Sequence, residues 1–314
     1  MYLSGSRYFV CHNPKLVTRN HLITMDFSAQ LVALASTAVY AAGNLYARVG
    51  LVQSTPLVVT LISLIVQTVV VWTILLARGS VPSADPRALA VFIGVGVALP
   101  FVRWLSYTGI ARIGSARSSS LRSTHPFFSA ALAIAFLGEP ARHNIMLGTL
   151  LIVSGIFITC WDSQDGRTDA KPLDVMFPLS AAFFSGIIHP FTRYALTITN
   201  EPLLYSAVVG LSSLLTLSGY LLTTGRVKRM AWPERRALRS FVSASLFETV
   251  GFLLFSAAVS IGQVVLIAPI MATTPMWVLL GSILLLRDLE KVTLRTAIGS
   301  CAVVAGTILL TLNS

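Results

Sequence analysis

Ser115 to Pro140 reads SARSSSLRSTHPFFSAALAIAFLGEP, and Gln263 to Glu290 reads QVVLIAPIMATTPMWVLLGSILLLRDLE. Each stretch follows a glycine, Gly114 or Gly262, and passes through a small or polar run to an intramembrane proline. Thr124-His125-Pro126 aligns with Thr273-Thr274-Pro275, and the acidic endings Glu139 and Asp288 coincide. The next apolar stretch carries Gly148 and Gly155 in one copy and Gly299 and Gly306 in the other, with the same seven-residue spacing. Earlier in each half, Ala42-Gly43 and Ser185-Gly186 hold equivalent places. The chain is one design written twice.

Apolar runs long enough to cross ~30 Å of hydrocarbon recur from end to end. Ten are expected: Phe27–Tyr46, Leu57–Leu76, Ala88–Thr108, Ser115–Leu137, Ile145–Trp161, Val175–Ala195, Leu203–Leu222, Ser240–Val259, Gln263–Leu286 and Leu294–Leu312. The fold class is therefore an all-α integral membrane protein, with ten transmembrane helices as two inverted five-helix repeats. Five spans per repeat is an odd number, so the second copy enters from the opposite side, the design of many secondary transporters. Residues 1–25 form an N-terminal tail, read as disordered or as lying upstream of the true start at Met25. Residues 26–161 are the first repeat, 162–174 the linker and 175–314 the second repeat.

The 314 residues are 55% hydrophobic and 11% charged, and the short connections leave no segment for a soluble domain. A net charge of +11 raises a nucleic-acid reading, but the basic residues lie in short loops beside spans, where they set topology and meet anionic lipid. No nucleic-acid partner is expected. Cys11, Cys160 and Cys301 have no ligand-like spacing, so neither a disulfide framework nor a metal site is expected. No phosphate loop, metalloprotease motif or nucleophile elbow appears, so the expectation is no enzyme and no cofactor.

The small-polar run before an intramembrane proline, the LGEP of Leu137 to Pro140 and the glycine-marked span after it resemble the EamA-type family of the drug/metabolite transporter superfamily. The resemblance covers Asp26 to Leu312. The second copy departs from it where Arg287-Asp288-Leu289-Glu290 replaces Gly-Glu-Pro. The resemblance implies a helical bundle around a central cavity, working by alternating access as a metabolite exporter. The expected location is the bacterial cytoplasmic (inner) membrane. It implies no particular substrate. With the termini in the cytoplasm, as the family usually has them, six Lys/Arg lie inside and thirteen outside. The positive-inside rule favours the reverse.

Charge within a span is costly and usually functional. Arg112 lies in a connection, Arg117 is barely a turn inside its span and can snorkel, and Arg103 sits near a span end. Arg122 is roughly 10–13 Å deep at 1.5 Å per residue. Ser115, Ser118, Arg122, His125 and Ser129 share one helix face. Such a stripe serves either an ion pair with an acid on another helix or an anion site, in which the guanidinium fork grips a carboxylate or phosphate. Glu248 is the acid nearest the middle of a span. It either neutralises Arg122 or Arg103, or couples transport to protons. Asn44 and His189 lie on repeat-equivalent spans, and His189 is either a helix-packing hydrogen bonder or a second coupling group. Gln67 and Gln263 complete the expected cavity. Glycines at the repeat positions serve helix packing, and the intramembrane prolines beside polar residues serve a cavity.

The function expected is secondary active transport of a small anionic or zwitterionic metabolite. The substrate-binding residues are Arg122, His125, Ser118, Arg103, Asn44, Gln67 and Gln263, and the coupling or counter-charge residues are Glu248 and His189. Partners are the small-molecule substrate and the lipid bilayer, with proton coupling and a homodimer left open. The alternatives are a cationic drug exporter and a non-transporting sensor or scaffold. The first wants a deep acid in the first span, which Phe27–Tyr46 lacks, and the second wants an extramembrane module. A lipid-acting enzyme would need clustered acids or histidines at the interface.

Overall fold

The computed structural model describes residues 14–128, 143–161, 171–261, 267, 270–287, 289 and 292–311. Among them are helices α1 (Pro14–Leu51), α2 (Pro56–Ala77), α3 (Pro86–Ile113), α4 (Ser115–Arg122) and α5 (His143–Trp161), then α6 (Met176–Ile198), α7 (Pro202–Thr223), α8 (Arg235–Ile261), α9 (Thr274–Leu285) and α10 (Leu294–Thr311). No strand occurs among the described residues. Among the described residues, five segments are long and apolar enough to cross a membrane: Pro56–Ala77, Pro86–Ile113, Leu173–Ile198, Pro202–Thr223 and Arg235–Ile261. Leu147–Thr159, Thr274–Leu285 and Leu294–Leu309 are shorter apolar helices. The polarity is inside-out. Val69, Leu150, Leu215 and Leu285 face outward, whereas Thr60, Ser63, Ser206 and Ser213 are fully buried, each bonded to a backbone carbonyl.

The segment expected as a tail includes the start of α1. Helix α1 begins at Pro14, well before Asp26. Proline suits the first turn of a helix, and Pro14 to Thr24 holds no further glycine or proline to interrupt propagation from the apolar span.

The helix contacts are reciprocal between the halves. α1 packs on α8 as α6 packs on α3, and α2 meets α8 as α7 meets α3. α2 pairs with α7, α4 with α9 and α5 with α10. The α5–α10 crossing uses the repeated glycines. A Cβ on Gly155 would stand 2.7 Å from the Gly299 carbonyl oxygen, and one on Gly306 would stand 2.7 Å from that of Gly148. The first glycine of each copy thus meets the second of the other, the arrangement of two helices crossing about a two-fold axis. Only a residue without a side chain permits that approach.

The stretches expected as continuous fourth and ninth spans are interrupted. α4 ends at Arg122, Ser123 and Thr124 form a turn, and helix resumes at His125. In the second copy Ala272 and Thr273 form the turn before α9. The bonds repeat: Thr124 N to Leu121 O at 3.3 Å and Phe127 N to Thr124 O at 2.9 Å match Thr273 N to Ile270 O at 3.0 Å and Met276 N to Thr273 O at 2.9 Å. Proline lacks a donor and clashes with the carbonyl four residues back, so Pro126 and Pro275 end the preceding helix. The threonine hydroxyls of Thr124 and Thr273 each donate at 2.7 Å to the same carbonyls of Leu121 and Ile270, reinforcing the turns. α3 turns into α4 through Gly114 alone, at φ 86°, a conformation that favours glycine.

Two arginines cap helix ends in matching places. Arg48 of α1 donates to the carbonyls of Ile110 (3.2 Å) and Ala111 (3.0 Å) in the last turn of α3. Arg193 of α6 donates to the Val259 carbonyl (2.5 Å) in the last turn of α8. The carbonyls at a helix C-terminus have no intrahelical donor and carry the negative end of its dipole. α3 and α8 run antiparallel, since the end of α3 clusters with Ala237 and Phe241 while Phe92 at its start clusters with Val259. The two caps therefore lie at opposite ends of the bundle.

Candidate functional site

Both helix breaks border one cavity of about 180 Å³ in the middle of the bundle, with Ser123 and His125 from the first break and Met271 and Thr274 from the second on its wall. α3 contributes Arg103 and Ser106, α6 contributes Ser185, His189 and Thr192, and α8 contributes Glu248, Phe252 and Phe255. Arg122 projects in from the last residue of α4.

Arg103 and Glu248 are a buried ion pair at 3.6 Å, with side chains 10% and 9% exposed. Arg103 also donates to Ser63 Oγ at 3.0 Å and to Gln67 Oε1, while the Gln67 amide reaches the Ser206 carbonyl at 3.5 Å. Tyr107 donates to Glu248 Oε2 at 2.5 Å. This network ties α2, α3, α7 and α8 together and satisfies both charges, which is the condition for keeping an ion pair out of water. Gln67 is fully buried and does not line the cavity; it holds Arg103 in place.

Arg122 stands differently. Among the described residues no acid lies within ion-pair distance of it, and its one hydrogen-bond contact is Nη1 to Ser106 Oγ at 3.5 Å. The Ser106 hydroxyl donates at 2.9 Å to the Val102 carbonyl, so its lone pairs are the part that faces Arg122. Ser106 follows Arg103 by three residues, hence on the same face of α3. The two guanidiniums thus approach one wall of the cavity, one neutralised and one not. His125 and His189 meet edge to face, with ring centroids 4.6 Å apart, and His189 continues onto Phe255 at 5.5 Å.

Of the residues expected at the site, Arg122, His125, Arg103, Glu248 and His189 line this cavity. Ser118 does not. It is 2% exposed and faces Gly109 of α3, where an added Cβ would stand 2.6 Å from its Oγ. Ser119, Arg122, Ser123 and His125 form the part of the cavity wall that this segment supplies. Asn44 is buried in α1 but not part of the lining, and Gln263 lies outside the described residues. Arg117 does not snorkel: it donates to the Thr159 carbonyl at 3.0 Å, joining α4 to α5. Tyr40, Ser106, Tyr107 and Tyr205 were not singled out in the sequence. Aromatic and hydroxyl residues are common in spans, and nothing but helix rotation decides which of them meet a cavity.

The EamA-like transporter family matches residues 27–161 and again residues 173–312. The chain belongs to the EamA-like transporter family. It is therefore a multi-pass membrane protein of the drug/metabolite transporter superfamily, with two EamA repeats and a transporter's architecture. A crystal structure among the solved proteins has 17% sequence identity and a TM-score of 0.63, over 91% of this chain and 96% of that one, a likeness of fold alone. No curated protein sequence matches the chain.

Proposed function

We propose that this EamA protein is a secondary active exporter of a small anionic metabolite, working by alternating access across ten spans of a bacterial inner membrane. Arg122 carries the reading. It is a cation inside a membrane bundle, at a helix break bordering a cavity, and the described residues offer it no acid. A guanidinium in that position costs free energy unless an anion with bidentate oxygens comes to it. Glu248 has the counter-charge role, because its carboxylate is already held by Arg103 and Tyr107. That occupancy disfavours the cationic-drug alternative, which needs a free acid. The interrupted helices at Pro126 and Pro275 support a substrate site between the repeats, where discontinuous helices expose backbone groups to a ligand.

The test is anion flux into proteoliposomes. Arg122→Ala is expected to abolish it, with a loss of a hundredfold or more on the order expected for removing a charge-assisted pair (about 3 kcal/mol). Arg122→Lys is expected to retain part of it, since the charge stays and the fork is lost. Undiminished flux in a correctly inserted Arg122→Ala protein rejects the assignment.

A further inference from the structure

The cavity is charged at one end and largely apolar at the other, where the hydroxyls of Thr192 and Tyr205 bond each other at 2.9 Å. Arg103, Ser106, Arg122 and Glu248 mark the charged end. From Arg103, α3 runs back through Val102 and Leu99 to Val95, a distance of about 12 Å at 1.5 Å per residue. α8 runs the opposite way, from Glu248 through Phe252 and Phe255 to Val259, so its apolar lining accumulates at the same end. Val95, Phe252, Val259 and Ile267 belong to one apolar cluster, with Leu99, Phe255 and Met271 packed against it. The His125–His189 pair stands beside Phe255.

We infer that the substrate is an amphiphilic monocarboxylate: one carboxylate on an apolar body the size of a phenyl or isobutyl group, with no ammonium group. The inference rests on the reading of Arg122 as the anion site. One cation with no counter-ion among the described residues matches one negative charge. A second carboxylate would find only Arg103, already neutralised by Glu248. An α-ammonium would stand beside Arg122 with no free acid to receive it, since Glu248 is the acid on the described wall. Among the described residues the wall beyond the histidines holds no further charge, and its Thr192 and Tyr205 hydroxyls bond each other, so it rewards removal of apolar surface from water.

The experiment holds the body constant and changes the charge, then holds the charge and removes the body. Thermal stabilisation of the purified full-length protein is measured with 3-phenylpropanoate, phenylalanine, phenethylamine, phenylsuccinate and propanoate, and each is used to compete labelled 3-phenylpropanoate counterflow in proteoliposomes. 3-Phenylpropanoate is expected to bind about tenfold or more tighter than propanoate, because a phenyl ring leaves water. Phenylalanine and phenylsuccinate are expected to bind at least about tenfold more weakly than 3-phenylpropanoate, because each brings an unpaired charge. Arg122→Gln is expected to remove the response to 3-phenylpropanoate. Phe255→Ala is expected to narrow its margin over propanoate, and Phe255→Leu, which keeps an apolar side chain, to retain most of it. Equal binding of propanoate, phenylalanine or phenylsuccinate overturns the class, while Arg122-dependent anion flux then leaves the carrier reading standing. Binding indifferent to Arg122→Gln, or a preference for phenethylamine, overturns both.

Discussion

Arg103 and Arg122 carry the same charge into the same cavity and have opposite prospects on removal. Arg103→Gln leaves Glu248 buried without its counter-ion, which costs up to about 3–5 kcal/mol. The double substitution Arg103→Gln with Glu248→Gln is expected to recover part of that loss, because neither charge is then stranded. Unfolding midpoints of the purified single and double variants give the coupling directly. Arg122→Gln removes a cation with no acid among the described residues, so it is expected to leave the melting temperature nearly unchanged or raised. These titratable residues were legible in the sequence, because an arginine, glutamate or histidine in an apolar run stands out. Their partners were less so. Gln67, expected in the cavity, bonds Arg103, and Ser118 faces Gly109, since a residue's neighbours depend on helix rotation and crossing angle.

At the scale of the helix, the two breaks and the α5–α10 crossing make separate demands. Gly155→Leu forces a side chain against the Gly299 backbone and is expected to destabilise by about 1–3 kcal/mol. Gly94→Leu, at a position where an added Cβ meets nothing within 4 Å, is the control. Thermal unfolding of both variants in one detergent separates packing from general apolarity. Pro275→Ala restores a donor and is expected to favour a continuous ninth helix, lowering flux while leaving the amount of inserted protein unchanged. The paired glycines and the Thr-x-Pro positions were visible in the sequence as repeats. The interruption itself was not. A window of hydropathy registers the length of an apolar run, and a two-residue turn between two helices changes that length hardly at all.

At the scale of the whole molecule, the doubled sequence became a doubled contact pattern, with α1 on α8 and α6 on α3. That much followed from the repeat, because two similar halves bury most by packing in similar ways. Orientation is a separate question, on which charge makes a prediction. Arg226, Arg235, Arg236 and Arg239 are exposed around the connection from α7 to α8. The positive-inside rule predicts a cytoplasmic position for that connection. In a cysteine-free background, Thr224→Cys is expected to react with an impermeant maleimide only from the cytoplasmic side. Reaction from outside alone would show that the family's usual orientation overrides the charge count.

The two arginine caps make the molecule a balance with a weight at each end. Arg48 fastens α1 to the end of α3 at one end of the bundle, and Arg193 fastens α6 to the end of α8 at the other. Loosening one tilts the molecule toward opening at that end alone, and a charged hydrogen bond worth about 1.5–3 kcal/mol shifts such an equilibrium roughly ten- to a hundredfold. Arg48→Ala and Arg193→Ala should thus lower turnover alike yet bias the resting protein in opposite directions. Accessibility of a cavity cysteine from the two faces, for instance at Ser185→Cys, reads that tilt.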